Sequence, residues 1–292
     1  MLSNPRLDSF TSMSKTKPRV LIFSLAYFPL VGGAEIAVKE ITDRLGGFFD
    51  FDLVTLKFEK HYASHEVRGD VNVYRIDGSK LLFPLKSFFV ARKLHRQNHY
   101  KIVWSIMAAY AGLAALFFKF LNPGVPFLLT LQEGDSEKHI LKRVGVLYSL
   151  WRMIFKKANY IQAISNYLAD FARRHGAVCP IEVVPNGVSL DKFKFQPRRQ
   201  NWSGLRPHAS YNSKIIITTS RLVYKNGVDV LVRACARLPI TNYQLIIVGN
   251  GPEKPKLEQL ARDLNVADKI KFIGQVDPDE IPRYLSEADL FV

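Results

Sequence analysis

The segment 215–251, IIITTSRLVYKNGVDVLVRACARLPITNYQLIIVGNG, constrains the fold more than any other. A β-branched run, Ile215 to Thr219, reads as a strand buried on both faces. It is followed by a loop carrying Arg221 and Lys225, and then by a helix with Val228, Leu231, Val232, Cys235 and Leu238 on one face. A second buried strand, Gln244 to Val248, runs into Gly249-Asn250-Gly251-Pro252. Strand, loop, helix and strand make the repeating unit of a doubly wound α/β sheet, in which ligands sit beyond the carboxyl ends of the strands. Two cations delivered to a helix N-terminus favour an anion there, because unpaired N–H groups and the positive dipole end point at it.

The runs SRLVYKNGVDVLVRA, LIIVGNGPE and IKFIGQVDPDEIPRYLSEADLFV occur in that order. Upstream lie AISNYLADFARRHG, VVPNGVSLDKF and an early VGGAE. Together they resemble the family 4-like glycosyltransferases of the two-domain GT-B type, over roughly residues 18–292. The resemblance implies two facing Rossmann-like domains, the second incomplete, and transfer of a sugar from a nucleotide diphosphate sugar to an acceptor hydroxyl. It implies retention of anomeric configuration, no cofactor beyond the donor as co-substrate, and no obligatory metal. Cell-envelope polysaccharide or glycolipid synthesis is the expected setting, with a sugar or lipid-linked acceptor.

By the same resemblance Arg221 and Lys225 hold the donor diphosphate, and Gly249, Asn250 and Gly251 let the backbone approach the donor. The stretch Phe272 to Val276, with Ile273 and Gly274, borders the base. Gly32 and Gly33 face the donor diphosphate and the acceptor, although on residue grounds alone the pair simply makes a turn. Relatives place a histidine near the donor sugar where Gln132 falls here. They also follow the ADLFV strand with a glutamate pair eight positions apart, which would lie just beyond Val292. The chain therefore reads as a fragment of a longer enzyme that binds donor poorly and transfers no sugar by itself.

The remainder of the chain fits the same rhythm. The polar residues 1–17 lack the apolar core of a signal peptide and read as a disordered tail. A first domain is expected over 18–195, a polar linker over 196–213 and a partial second domain over 214–292. Strands are expected at 19–25, 52–56, 71–75, 126–131, 160–164 and 181–184. A helix begins after Gly33, a basic helix covers 81–97, and Ser165 caps a helix over 166–175. Residues 102–118 carry no charge, yet IVWSI has strand composition and the rest suits a buried helix, so strand plus core helix is preferred to a membrane span.

Glu133 and Asp135 follow a strand end. They serve either a ligand, Glu133 then being a catalytic candidate, or the N-terminus of the next helix. That helix, 139–157, carries Val144, Leu147, Trp151 and Ile154 on one stripe with cations outside it. It reads either as an interfacial membrane contact through Trp151 and Phe155 or as a core helix with a basic back.

Net charge is +15, and residues 80–157 hold 13 Lys/Arg against 3 Asp/Glu, so the positive field concentrates there. Such a field attracts anionic membrane, phosphorylated substrates or nucleic acid. Nucleic acid is set aside because no RNP aromatics, zinc spacing or clear helix-turn-helix occurs. Hydride chemistry is set aside because GxGxxG is missing. A catalytically silent binding module of the same fold is the remaining alternative. Cys179 and Cys235 lie far apart and read as reduced thiols, so a cytoplasmic protein is expected, and the basic residues of 80–157 add the expectation of a peripheral place at the inner face of the membrane.

Overall fold

The computed structural model describes residues 17–194 and 213–292. The expected tail and linker lie, but for Lys17 and Ser213, outside the described residues. The chain divides between Gly187 and Val188 into two compact units.

In the first unit the short apolar runs become strands and the amphipathic ones helices. The order is β1 (Arg19–Phe23), α1 (Gly33–Leu45), β2 (Asp50–Leu56), β3 (His65–Arg68), β4 (Val71–Ile76), α2 (Phe83–Asn98), β5 (Ile102–Ile106) and α3 (Tyr110–Leu121). There follow β6 (Phe127–Leu131), α4 (Glu137–Val144), α5 (Tyr148–Lys157), β7 (Tyr160–Ala163), α6 (Asn166–Arg174) and β8 (Ile181–Val183). Among the described residues the sheet order is β3-β4-β2-β1-β5-β6-β7-β8, parallel except for β3 against β4. Leu21, Phe23, Val103 and Leu129 pack one face against α2, α3, α5 and α6, while Val20, Ile22 and Leu53 pack the other against α1. Burial on both faces is why β1, β5 and β6 read as continuous apolar runs.

The charge-free run 102–118 is strand plus buried helix, as expected. On α3, Ala111, Ala114, Ala115, Leu116 and Phe118 are all buried. Lys119, which ends the run, turns its ammonium onto the carbonyls of Pro123 and Val125 at 2.8 and 2.7 Å. No helix among the described residues is long and apolar enough to cross a membrane.

The single helix expected over 139–157 is a correction. It is two helices broken by a 3-10 turn at Gly145–Leu147, where Gly145 takes φ +50°. The interfacial reading of its aromatics falls with it, because Trp151, Ile154 and Phe155 are buried in the core. The exposed apolar side chains are Val146 and Leu147 in the break itself and Tyr148 just after it.

The second unit carries β9 (Lys214–Thr219), α7 (Val228–Cys235), β10 (Tyr243–Val248), α8 (Lys254–Asp263), β11 (Ile270–Gly274), α9 (Ile281–Ser286) and β12 (Leu290–Phe291). Its parallel sheet runs β11-β10-β9-β12 among the described residues. Leu245 and Ile247 pack towards α7 and α8, and Ile215 and Ile217 towards α9. In each unit the sheet is wound outward both ways from its first strand. The switch points lie between β1 and β5 and between β9 and β12, the positions where such folds bind ligands.

Candidate functional site

In the second unit the loops after β9, β10 and β11 are stitched edge to edge. Ser220 N–H donates to the Val248 carbonyl at 2.9 Å, and Leu222 N–H to the Asn250 carbonyl at 3.0 Å. Glu253 N–H returns to the Leu222 carbonyl at 3.1 Å, and Gly249 N–H reaches the Gly274 carbonyl at 2.7 Å. A register shift between Ile247 and Val248 brings Val248 opposite Gly274, leaving Ile273 out of the ladder. Arg221, Lys225, Gly249, Asn250, Gly251, Ile273 and Gly274 thus share the carboxyl edge of three neighbouring strands.

Arg221 and Lys225 are exposed. The Asn226 amide donates to Ser220 Oγ at 3.0 Å and to the Arg221 carbonyl at 2.8 Å, holding the loop that carries both cations. Gly227, at φ +64°, turns that loop into α7. Gly249 and Gly251 have a packing reason of their own. A Cβ on Gly249 would stand 1.9 Å from the Ser220 carbonyl oxygen, and one on Gly251 2.2 Å from that of Leu222.

In the first unit the equivalent edge contains a cavity of about 420 Å³ at the β1/β5 switch point. Its wall includes Ser24 and Ala26 after β1, Glu35 on α1, Met107 after β5, and the cations Lys80 and Arg143. Gly32 precedes α1 in an extended conformation and accepts Ile36 N–H at 3.0 Å through its carbonyl. A Cβ on Gly33 would meet nothing within 4 Å. The loop after β1 is tied by Arg75, a residue not singled out from the sequence. Its guanidinium donates to the Phe28 carbonyl at 2.6 Å and to Glu66 Oε1 at 2.7 Å. The available signal was an arginine inside the otherwise strand-like VNVYRI.

Beyond β6, Gln132 is buried and exchanges hydrogen bonds with Asn186 at 3.2 and 3.3 Å. Glu133 accepts the Ala108 N–H on Oε1 at 2.5 Å, and its Oε2 is buried with no partner among the described residues. Burial raises the Glu133 pKa to about 7, against the lowering effect of the Ala108 hydrogen bond. Neither Glu133 nor Asp135 belongs to the first turn of the next helix. Ser136 caps α4, Glu137 opens it, and Asp135 pairs with Arg143 at 3.0 Å. Among the described residues no group of three or more His, Cys, Asp or Glu is placed to hold a metal ion.

Two family models match this chain: Glycosyltransferase Family 4 over residues 31–192 and Glycosyl transferases group 1 over 206–292. The chain belongs to the family 4 glycosyltransferases. Over 209 residues it is 31% identical to the GDP-mannose-dependent alpha-(1-6)-phosphatidylinositol monomannoside mannosyltransferase of Mycobacterium tuberculosis, covering 68% of this chain and 51% of that protein. It thus spans about half the length of that relative. Over 288 residues it is 34% identical to an uncharacterized glycosyltransferase of Methanocaldococcus jannaschii, covering 90% of this chain and 70% of the relative. The fold matches that of Anabaena HepE, solved with UDP and glucose, at TM-score 0.73 and 20% identity over 94% of this chain and 73% of that one. These matches agree with the GT-B architecture expected from the motifs.

Proposed function

We propose that the protein transfers a sugar from a nucleotide diphosphate sugar to an acceptor hydroxyl, with the donor bound at the carboxyl edge of β9, β10 and β11. The observation that carries this is the delivery of Arg221 and Lys225 to the mouth of a stitched, glycine-lined strand edge, in a chain of this family. As the glycosidic bond to the diphosphate breaks, negative charge collects on the leaving group. Fixed cations stabilise that charge more in the transition state than in the ground state. Arg221 brings a planar fork that bridges two phosphate oxygens, and Lys225 a point charge. The base lies along Ile273 and Gly274. Retention and independence of metal follow from the family resemblance.

The acceptor occupies the cavity at the β1/β5 switch point, between Glu35 and the cations Lys80 and Arg143, with Gly32 and Gly33 beside it. A lipid-linked acceptor suits this cavity, and the mycobacterial relative is named for one. Lys80 is followed by the exposed Leu81 and Leu82, and Arg143 is followed at short range by the exposed Val146 and Leu147. Leu85 and Phe89 continue the apolar stripe along α2, whose charged residues are all basic. An apolar rim among cations fits an anionic membrane surface, so the first unit docks there through residues of 80–157. The setting is the cytoplasmic face of the cell membrane.

The test is a screen of UDP-, GDP- and ADP-sugars against the full-length protein, read by thermal stabilisation and by sugar transfer to lipid acceptors. One donor class should stabilise the protein and label a lipid. Stabilisation with neither transfer nor donor hydrolysis would overturn the enzymatic reading and leave a binding module.

A further inference from the structure

Two side chains distant in sequence grip one residue, Ala108, beside the first unit's cavity, through the peptides on either side of it. Just after β5, Met107 takes φ +69°, a conformation that an L residue keeps only where its surroundings over-determine it. Met107 N–H donates to the Thr130 carbonyl at 2.8 Å. At the next residue, Ala108 N–H donates to Glu133 Oε1 at 2.5 Å, and the Ala108 carbonyl accepts the indole N–H of Trp151. Trp151 itself is fixed, 3% exposed, with the rings of Phe155, His175 and Phe171 at 4.9, 4.8 and 5.9 Å. Met107 and Ala109, on either side of the gripped residue, both line the cavity.

We propose that Glu133 and Trp151 are positioning residues that hold the backbone of Met107–Ala109 in its left-handed turn, and thereby shape the acceptor cavity. This rests on the cavity being the acceptor's. Glu133 serves as a hydrogen-bond acceptor and moves no proton in the reaction. The carboxyl is pushed towards its neutral form by burial, and Asp135 two residues on adds to the push. Asp135 is itself tied to Arg143, and the His175 ring packs edge to face with the indole. An amide oxygen accepts the Ala108 N–H as a carboxyl oxygen does, so Glu133→Gln keeps the grip and Glu133→Ala breaks it. Trp151→Phe keeps an aromatic ring and loses the N–H.

The experiment combines steady-state kinetics of the full-length protein, with donor and acceptor varied separately, and amide hydrogen exchange over 107–109. Trp151→Phe and Glu133→Ala should each raise the acceptor KM about tenfold, the worth of one buried hydrogen bond, and speed exchange at 107–109 by a similar factor. The donor KM and kcat should stay near wild type, and Glu133→Gln should match wild type throughout. A collapse of kcat in Glu133→Gln would make Glu133 a proton-transfer group and overturn the proposal. Unchanged exchange in both Trp151→Phe and Glu133→Ala would overturn it too, as would faster exchange with an unmoved acceptor KM. A wild-type protein that transfers no sugar would instead defeat the functional reading, and exchange would then decide the grip alone.

Discussion

Replacing Gly251 by alanine should destabilise the second unit, with or without a ligand bound. The added Cβ would stand 2.2 Å from the carbonyl oxygen of Leu222 and 2.6 Å from its carbon, both backbone atoms. To restore an ordinary C···O contact of about 3.3–3.6 Å, the Leu222 peptide must retreat by about 1 Å. That carbonyl accepts Glu253 N–H at 3.1 Å, and the N–H of the same residue donates to Asn250 at 3.0 Å. Both bonds stretch beyond useful length, and Leu222 is fully buried, so water does not replace them. With about 1–3 kcal/mol lost for each buried group left unsatisfied, the total is about 3 kcal/mol. In a unit of roughly 100 residues this lowers Tm by about 12–24 °C. Calorimetry on Gly251→Ala is the assay, with Gly33→Ala as the control, because a Cβ there meets nothing within 4 Å. A Gly251→Ala protein melting within about 3 °C of wild type, a shift worth under 1 kcal/mol, would refute the packing argument. Weakened donor binding in that stable protein would assign Gly251 to ligand approach alone.

Two further outcomes are expected. Burial raises the Glu133 pKa from 4.5 to about 7, so its contribution to stability is complete below pH 4.5 and is lost as pH rises through about 7. Chemical denaturation at pH 5 and pH 8 should therefore show wild type losing about 2.5 kcal/mol relative to Glu133→Gln, and parallel pH profiles would contradict the assignment. Val146→Glu with Leu147→Glu should weaken binding to vesicles of acidic lipid, an interaction that falls as salt rises, and should leave thermal stability near wild type because both side chains are exposed. Equal binding by wild type and the double variant would remove the rim from the docking surface.

The strands, the buried α3 and the second unit's winding were legible because burial on both faces leaves short apolar runs, and glycine or proline ends them. Ser165 announced its helix in the same local way, and its hydroxyl accepts Leu168 N–H. The break at Gly145 was hidden because Val144, Leu147, Trp151 and Ile154 keep a helical spacing straight through it. Periodicity also does not say what a stripe faces, so it left the buried Trp151 open to two readings, a membrane contact or a core residue. The edge strand β3, HEVR, is too short and polar to give a period. At the candidate site, residue type pointed to a strand edge but not to the packing that shapes it. A glycine needed for a ligand and one needed for a neighbouring carbonyl look alike in sequence. The pairing of Gln132 with Asn186 joins residues 54 positions apart, and the grip of Glu133 and Trp151 on Ala108 needs three elements brought together.

The central claim is that the cations of the β9–α7 loop carry the leaving diphosphate. Arg221 and Lys225 are exposed, so replacing either by alanine should leave folding intact. The decisive measurement is the rate of sugar transfer from the nucleotide-sugar donor by full-length Arg221→Ala and Lys225→Ala, each compared with wild type at saturating acceptor. A loss on the order of 10²-fold is expected in each, as for removal of one preorganised group facing developing charge. Wild-type turnover in both variants would contradict it.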